Sequence, residues 1–163
     1  MDICVGCEQD LAQIVAIYNQ AVAERGATAD VAPVDVDSRR EWFAEHGPDS
    51  YPLWVAQGSD GMVGWCSLSA YRPGRMALRH TAEISYYVDA GHRRQGVASA
   101  LIRHAIGRCP ALEIENLFCL VLDVNVPSVR LLKTLRFVQW GYMPEVAEFD
   151  GRRYGHLIYG RRV

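Results

Sequence analysis

The sequence predicts an α+β (α/β) fold with a partly antiparallel sheet. Three observations predict it. Leu11, Ile14, Val15, Tyr18, Ala21 and Val22 recur at helical spacing. Two strand-like pairs are joined by turn residues, at 58–61 and at Asp150-Gly151. A segment of period two at residues 81–88 runs through a basic turn into an apolar helical face. Strands and helices thus alternate without a simple βα repeat, which places the chain in a mixed class.

The elements follow in order. Residues 2–7 read as a short edge strand, and residues 9–25 as the first helix. A loop over 26–33 leads to a second helix bearing Trp42 and Phe43, capped by Asp35 or Asp37. Residues 52–57 and 62–70 form a hairpin around Gly58-Ser59-Asp60-Gly61, and residues 72–75 form a loop. In 81–88, Ala82, Ile84, Tyr86 and Val88 face one way and Glu83, Ser85 and Tyr87 the other. Val97, Ala98, Leu101, Ile102, Ala105 and Ile106 mark a helix that Cys109-Pro110 ends. The apolar run 117–122 reads as a buried strand. Asn125 and Pro127 open a short helix to residue 135, and two strands close the chain.

Composition bounds the function. The 163 residues are 50% apolar and 22% charged, enough for one cored domain over 1–163. A net charge of -2 gives no basic footprint for nucleic acid. The five cysteines are an odd set mostly in apolar runs, which reads as reduced thiols in a cytoplasmic protein. No apolar run nears the roughly 20 residues of a membrane span. Met1-Asp2-Ile3-Cys4 lacks the start of a secretory signal. Cys4-Val5-Gly6-Cys7 has no second pair and no nearby histidine, so neither a metal nor a redox role is expected of it. Trp42, Trp54, Trp65 and Trp140 read as core or interface residues.

The segment Tyr86-Tyr87-Val88-Asp89-Ala90-Gly91-His92-Arg93-Arg94-Gln95-Gly96-Val97-Ala98 carries the most chemistry. A strand enters a basic turn, and a helix starts on small residues. Free backbone N–H groups at a helix start attract phosphate. Gly96 permits a tight bend, Ala98 and Ser99 keep the surface low, and Arg93 and Arg94 add positive charge. The turn is neither a Walker loop nor a dinucleotide fingerprint. An ordinary helix start beside surface arginines has the same local pattern.

Arg93-Arg94-Gln95-Gly96-Val97-Ala98 resembles the Arg/Gln-x-x-Gly-x-Gly/Ala motif of the GNAT superfamily of N-acetyltransferases. Residues 17–22, Val63-Gly64-Trp65-Cys66-Ser67-Leu68, Tyr71-Arg72-Pro73, residues 81–88 and Asn125-Val126-Pro127-Ser128-Val129-Arg130 resemble its phosphinothricin acetyltransferase branch. The resemblance runs in order along nearly the whole chain. It implies a single-domain, twisted, mostly antiparallel sheet splayed between the Glu83 strand and the 117–122 strand, where acetyl-CoA enters. It also implies a metal-free homodimer that acetylates glutamate-like amines such as phosphinothricin, methionine sulfoximine or arsinothricin.

The resemblance assigns residues as well. Glu83 would be the general base, directly or through water, for the substrate ammonium. A solvated residue on an exposed strand face is the plainer reading of the same position. Arg72 would face the substrate's acid group, since a guanidinium suits a carboxylate or phosphinate. Arg75 and Arg79 are weaker candidates. Cofactor contacts fall on Tyr86, Tyr87, Val88, Arg93, Arg94, Gln95, Gly96, Val97, Ala98 and Ser99. Asn125 would reach the pantetheine arm of CoA with Ser128 beside it, although both also suit a plain helix cap.

Three positions depart from the branch. Leu132 stands where relatives carry a Tyr or His that protonates the leaving thiolate. Arg136 stands where a glycine is usual, and Tyr154-Gly155-His156 replaces a Trp-(His/Leu)-Asp type segment. Tyr154 or His156 could supply the acid, or CoA leaves as thiolate, which a pKa near ~8.5 permits. Transfer is expected to be direct, because no cysteine has a recognisable histidine partner. Other acceptors, namely a protein N-terminus, a polyamine or an aminoglycoside, are a second reading, and a non-catalytic CoA-binding regulatory module is a third. Arg72, Arg75 and Arg79 favour an anionic acceptor over a polycation.

Overall fold

A computed structural model describes residues 1–163. Seven strands form one mixed sheet in the order β1-β2-β3-β4-β5-β7-β6. The strands are β1 Asp2–Val5, β2 Leu53–Gln57, β3 Met62–Ala70, β4 Thr81–Val88, β5 Asn116–Leu122, β6 Val138–Phe149 and β7 Arg152–Arg162. Four α-helices flank it: α1 Leu11–Glu24, α2 Arg40–Ala44, α3 Val97–Arg108 and α4 Val126–Thr134. Every neighbouring pair is antiparallel except β4 and β5.

The expected periodicities set the two layers. One face of the sheet, with Trp54, Cys66, Leu68, Ala82 and Ile84, packs on Leu101, Ile102 and Ala105 of α3 and on Leu132 of α4. The other face, with Leu53, Val55 and Trp65, packs on Ile14 and Ile17 of α1. Each such buried aliphatic side chain contributes about 1.5–3 kcal/mol. Trp65 adds a buried bond, its Nε1 donating to the Ile14 carbonyl at 3.0 Å. Gly64 lets α3 lie close, because a Cβ there would meet the Tyr87 carbonyl at 2.8 Å and Val97 at 3.1 Å.

Boundaries move by a few residues. The first helix begins at Leu11 after a tight turn over Glu8–Asp10. Asp35, not Asp37, satisfies the turn before α2, its Oδ1 accepting from the Ser38 amide at 3.0 Å. Trp54 and Trp65 are core residues, whereas Trp140 is 47% exposed on the edge strand β6, its ring laid over Gly160. Arg136 has φ +63°, which explains why glycine suits that place.

The central fact for function is the register of β4 and β5. They pair only at Thr81 with Asn116, Ala82 with Leu117 and Glu83 with Phe118. Beyond this, β5 stays paired with β7 to Leu122, while β4 continues to Val88 alongside β3. Ile84–Val88 thus lack a strand partner on the β5 side, and the sheet splays there.

Candidate active site

The α3 end of the splay has the backbone geometry expected of an anion cradle. Gly96 takes φ +85° and opens α3 without a side-chain cap. The first helical bond runs from the Ala100 amide to the Gly96 carbonyl at 2.9 Å. The preceding amides point out of the helix start unpartnered by it, where the helix dipole is positive. Nothing lies within 4 Å of where a Gly96 Cβ would stand, so the space before it is open.

The turn before the cradle is held from α1. Gln20 Nε2 donates to Asp89 at 2.8 Å, and Gln20 Oε1 accepts from the Ala90 amide at 2.8 Å. Asp89 also accepts from the Gly91 amide and pairs with His92 Nδ1 at 2.9 Å. These bonds keep the Asp89 carboxyl below its usual range, Gln20 contributing most and His92 next. Arg94 is exposed with φ +60°. Arg93 is less free than the sequence suggests, because it forms a 2.6 Å ion pair with Glu24 of α1. The Gln95 side chain turns back to the Gly91 carbonyl at 3.2 Å. Across the splay, Asn125 caps α4 through the Ser128 amide at 3.2 Å.

The opposite face of β4 carries a different chemistry. Strand alternation puts Glu83, Ser85 and Tyr87 toward α1 and α2, and their β3 partners are Ser69, Ser67 and Trp65. A cavity of about 150 Å³ is lined by Ser85 and Tyr87 of β4 and by Trp65, Ser67 and Ser69 of β3. Tyr18, Val34, Arg39 and Trp42 close its other side. Arg39 is already neutralised by Asp30 at 2.9 Å and lies over the Tyr18 ring, 5.1 Å from its centroid. Tyr18 in turn donates to Asp30 at 2.6 Å. This network escaped the sequence reading. Its signal was the alternation Trp65, Ser67, Ser69, a row of hydroxyls opposite the core face of β3.

Glu83 ends this row at the last β4–β5 pair, where the sheet begins to open. Burial raises its carboxyl above the usual range, and no cation offsets that. A carboxylate so placed accepts a proton nearer neutral pH than a solvated one does. Arg72 lies in the loop between β3 and β4, exposed, with φ +53° and no acidic partner. Its guanidinium lies over the Tyr71 ring, 5.9 Å from its centroid, and that ring packs edge-on to Phe118, the β5 partner of Glu83. Arg79 is turned to the Met76 carbonyl at 3.1 Å.

The three buried cysteines, Cys66, Cys109 and Cys119, are free thiols. Burial pushes all three up, Cys109 to about 11, so they are protonated at neutral pH. Leu132 is fully buried in the core. His156 pairs with Leu122 and shares the face of Phe118. No group of three His, Cys, Asp or Glu side chains converges as metal ligands.

Residues 14–137 match the model of the Acetyltransferase (GNAT) family. The chain belongs to the GNAT acetyltransferase family. GNAT enzymes of this kind are acetyl-CoA-dependent N-acetyltransferases, and so is this one. It is 41% identical to a Bacillus subtilis protein provisionally named a phosphinothricin acetyltransferase, over 95% of this chain and 94% of that protein. It is 34% identical to an L-methionine sulfoximine/L-methionine sulfone acetyltransferase of Pseudomonas aeruginosa, over 88% and 83% of the two chains. A GNAT phosphinothricin acetyltransferase of Sinorhizobium meliloti, solved in complex with acetyl-CoA, superposes with a TM-score of 0.92 at 26% identity, covering 99% and 88%.

Proposed function

We propose that the whole chain works as one acetyltransferase domain for a small anionic amino acid of the phosphinothricin or methionine sulfoximine type. The observation that carries this reading is the position of Glu83. Its raised carboxyl stands at the last β4–β5 pair, where the sheet opens, on the face of β4 whose next residues, Ser85 and Tyr87, line the cavity. Acetyl-CoA lies in the splay, with its pyrophosphate on the amides around Gly96, Val97, Ala98 and Ser99 and Arg94 outside. The pantetheine arm runs along the unpaired edge of Tyr86, Tyr87 and Val88 toward Asn125 and Ser128.

Glu83, directly or through water, takes a proton from the substrate ammonium. The free amine then attacks the thioester carbonyl in a single ternary complex. The buried cysteines, held as thiols without a histidine partner, support direct transfer over an acyl-enzyme. Arg72 pairs with the substrate's acid group. The names of the relatives support this substrate class, and so does the lack of an acidic partner on Arg72. A homodimer is part of the reading, supported by the exposed apolar residues Val138, Trp140, Tyr142, Met143 and Val146 on the edge strand β6. A cytoplasmic setting fits the free thiols, and no helix is long and apolar enough to cross a membrane.

A thiol-release assay with acetyl-CoA over amino acids, their amides, polyamines and aminoglycosides tests the assignment. Free phosphinothricin-like amino acids should be the best acceptors, ahead of their amides. Removing one partner of a charged pair in a desolvated site costs about 2–5 kcal/mol. Arg72→Ala should therefore lower kcat/KM for such an amino acid by at least about 30-fold. A polyamine or aminoglycoside turning over faster would overturn the anionic-substrate reading.

A further inference from the structure

One buried hydroxyl in the splay has no use in the folded chain. Tyr86 alternates with Glu83 and Ser85, so its side chain lies on the α3 and α4 face of β4. Its β3 partner there is Cys66, whose thiol donates to the Leu101 carbonyl of α3. Tyr86 stands three residues past the last β4–β5 pair, at the open part of the sheet. Its hydroxyl is shut off from solvent and has no hydrogen-bond partner. Ser128 of α4 lies near enough to lower its pKa as a weak hydrogen-bonding neighbour and Cys119 of β5 near enough to raise it, yet the hydroxyl makes no hydrogen bond within 3.5 Å.

An unsatisfied buried hydroxyl costs about 1–3 kcal/mol, and folded proteins seldom leave one. Burial, the largest influence, also raises this phenol above its ordinary range. It is therefore a neutral O–H donor at any working pH, lacking only an acceptor.

The placement of acetyl-CoA proposed above supplies one, and this inference rests on that placement. From Gly96 the arm runs back along β4 toward Glu83, so the thioester comes to the level of residues 84–86. The amine attacks from the Glu83 face. The leaving sulfur then departs toward the opposite face, which at this level is the face of Tyr86. Leu132 of α4 offers no donor, and His156 is on the wrong face. We propose that, once bound acetyl-CoA parts the side chains that cover it, the Tyr86 hydroxyl donates a hydrogen bond to the CoA sulfur as it leaves. In that step the C–S bond of the tetrahedral intermediate breaks and its electron pair passes to sulfur. The oxyanion re-forms the carbonyl, and the amide nitrogen gives its surplus proton to water. The phenol keeps its proton, and the thiolate takes one from water on release.

Tyr86→Phe removes only the oxygen that has no partner, so thermal melting should show a fold at least as stable. kcat should fall about 10–100-fold, below the roughly 10²–10³ that one oxyanion-hole donor supplies because a thiolate is the weaker acceptor. The Kd for acetyl-CoA should stay within about twofold, since the neutral thioester sulfur is a weak acceptor. Bound CoA gives a second readout, the pKa of its thiol followed by ultraviolet thiolate absorbance. The Phe variant should raise it by about one unit, which a purely structural tyrosine would not do. Unchanged kcat and an unchanged thiol pKa, with acetyl-CoA still bound, would overturn the proposal. So would a loss confined to acetyl-CoA affinity, which would make Tyr86 a holder of the arm. Failure of the placement itself shows elsewhere: acetyl-CoA binding would then survive Gly96→Glu.

Discussion

At Glu83, the proposed base carries a cost in stability. Burial raises its carboxyl, so between the unfolded carboxylate pKa, about 4.3, and its own raised value the folded state binds more protons than the unfolded one. Stability therefore falls as pH rises through that window. Glu83→Gln should raise the melting temperature at neutral pH, and the gain should vanish below the window. The same variant should lower kcat by roughly 10²–10⁴ while leaving acetyl-CoA affinity nearly intact. The wild-type rate should rise with pH as Glu83 deprotonates, and this limb should be lost in the variant. A loss of only a few-fold at neutral pH would move the base elsewhere. Arg136 shows strain of another kind. At φ +63° a side chain is unfavourable by roughly 1–2 kcal/mol. Arg136→Gly should therefore be neutral to stabilising by about 1 kcal/mol, less what the unfolded chain gains in entropy. Chemical denaturation would measure it.

At the scale of elements, the proposed cofactor cradle is the start of α3. A glycine at φ +85° turns the chain, small residues follow, and Gln20 of α1 holds the approach through Asp89 and Ala90. Acetyl-CoA should raise the melting temperature with the logarithm of its concentration over Kd, because it binds the folded chain and not the unfolded one. Gly96→Glu should abolish that shift by placing bulk and negative charge where the pyrophosphate is proposed to lie. Gly96→Ala separates the effects, since it carries the backbone strain without the charge and should keep part of the shift. An undiminished shift in Gly96→Glu would remove the cradle assignment.

At the scale of the whole molecule, the splay joins the two half-sites. The sheet is continuous on both sides, yet β4 and β5 part after three pairs, leaving a row of backbone groups on Ile84–Val88 without a strand partner. Such groups need a partner or water. Acetyl-CoA in the gap should slow amide hydrogen exchange along residues 84–88 and 97–100. β1 and β2, remote from the gap in the strand order, should show little change. Equal protection everywhere would mean global stabilisation with no contact at the splay.

The sequence by itself determined the elements and the glycine-led start of α3. Periods of 3.6 and two are local properties of a chain, and so is a glycine placed where a strand turns into a helix. Glu83 was singled out by the family resemblance, and the period of two put it on the face opposite Ile84 and Tyr86. The tertiary structure decided what depends on residues distant in the chain. It tied Arg93 to Glu24, 69 positions away, and set Gln20 against Asp89. It brought Tyr18, Arg39 and Trp42 over the serines of β3 and β4, a cavity that no local period encodes. It also shut the Tyr86 hydroxyl away without a partner. Burial and pairing of this kind depend on which elements pack together, and that is fixed only when the sheet closes on its helices.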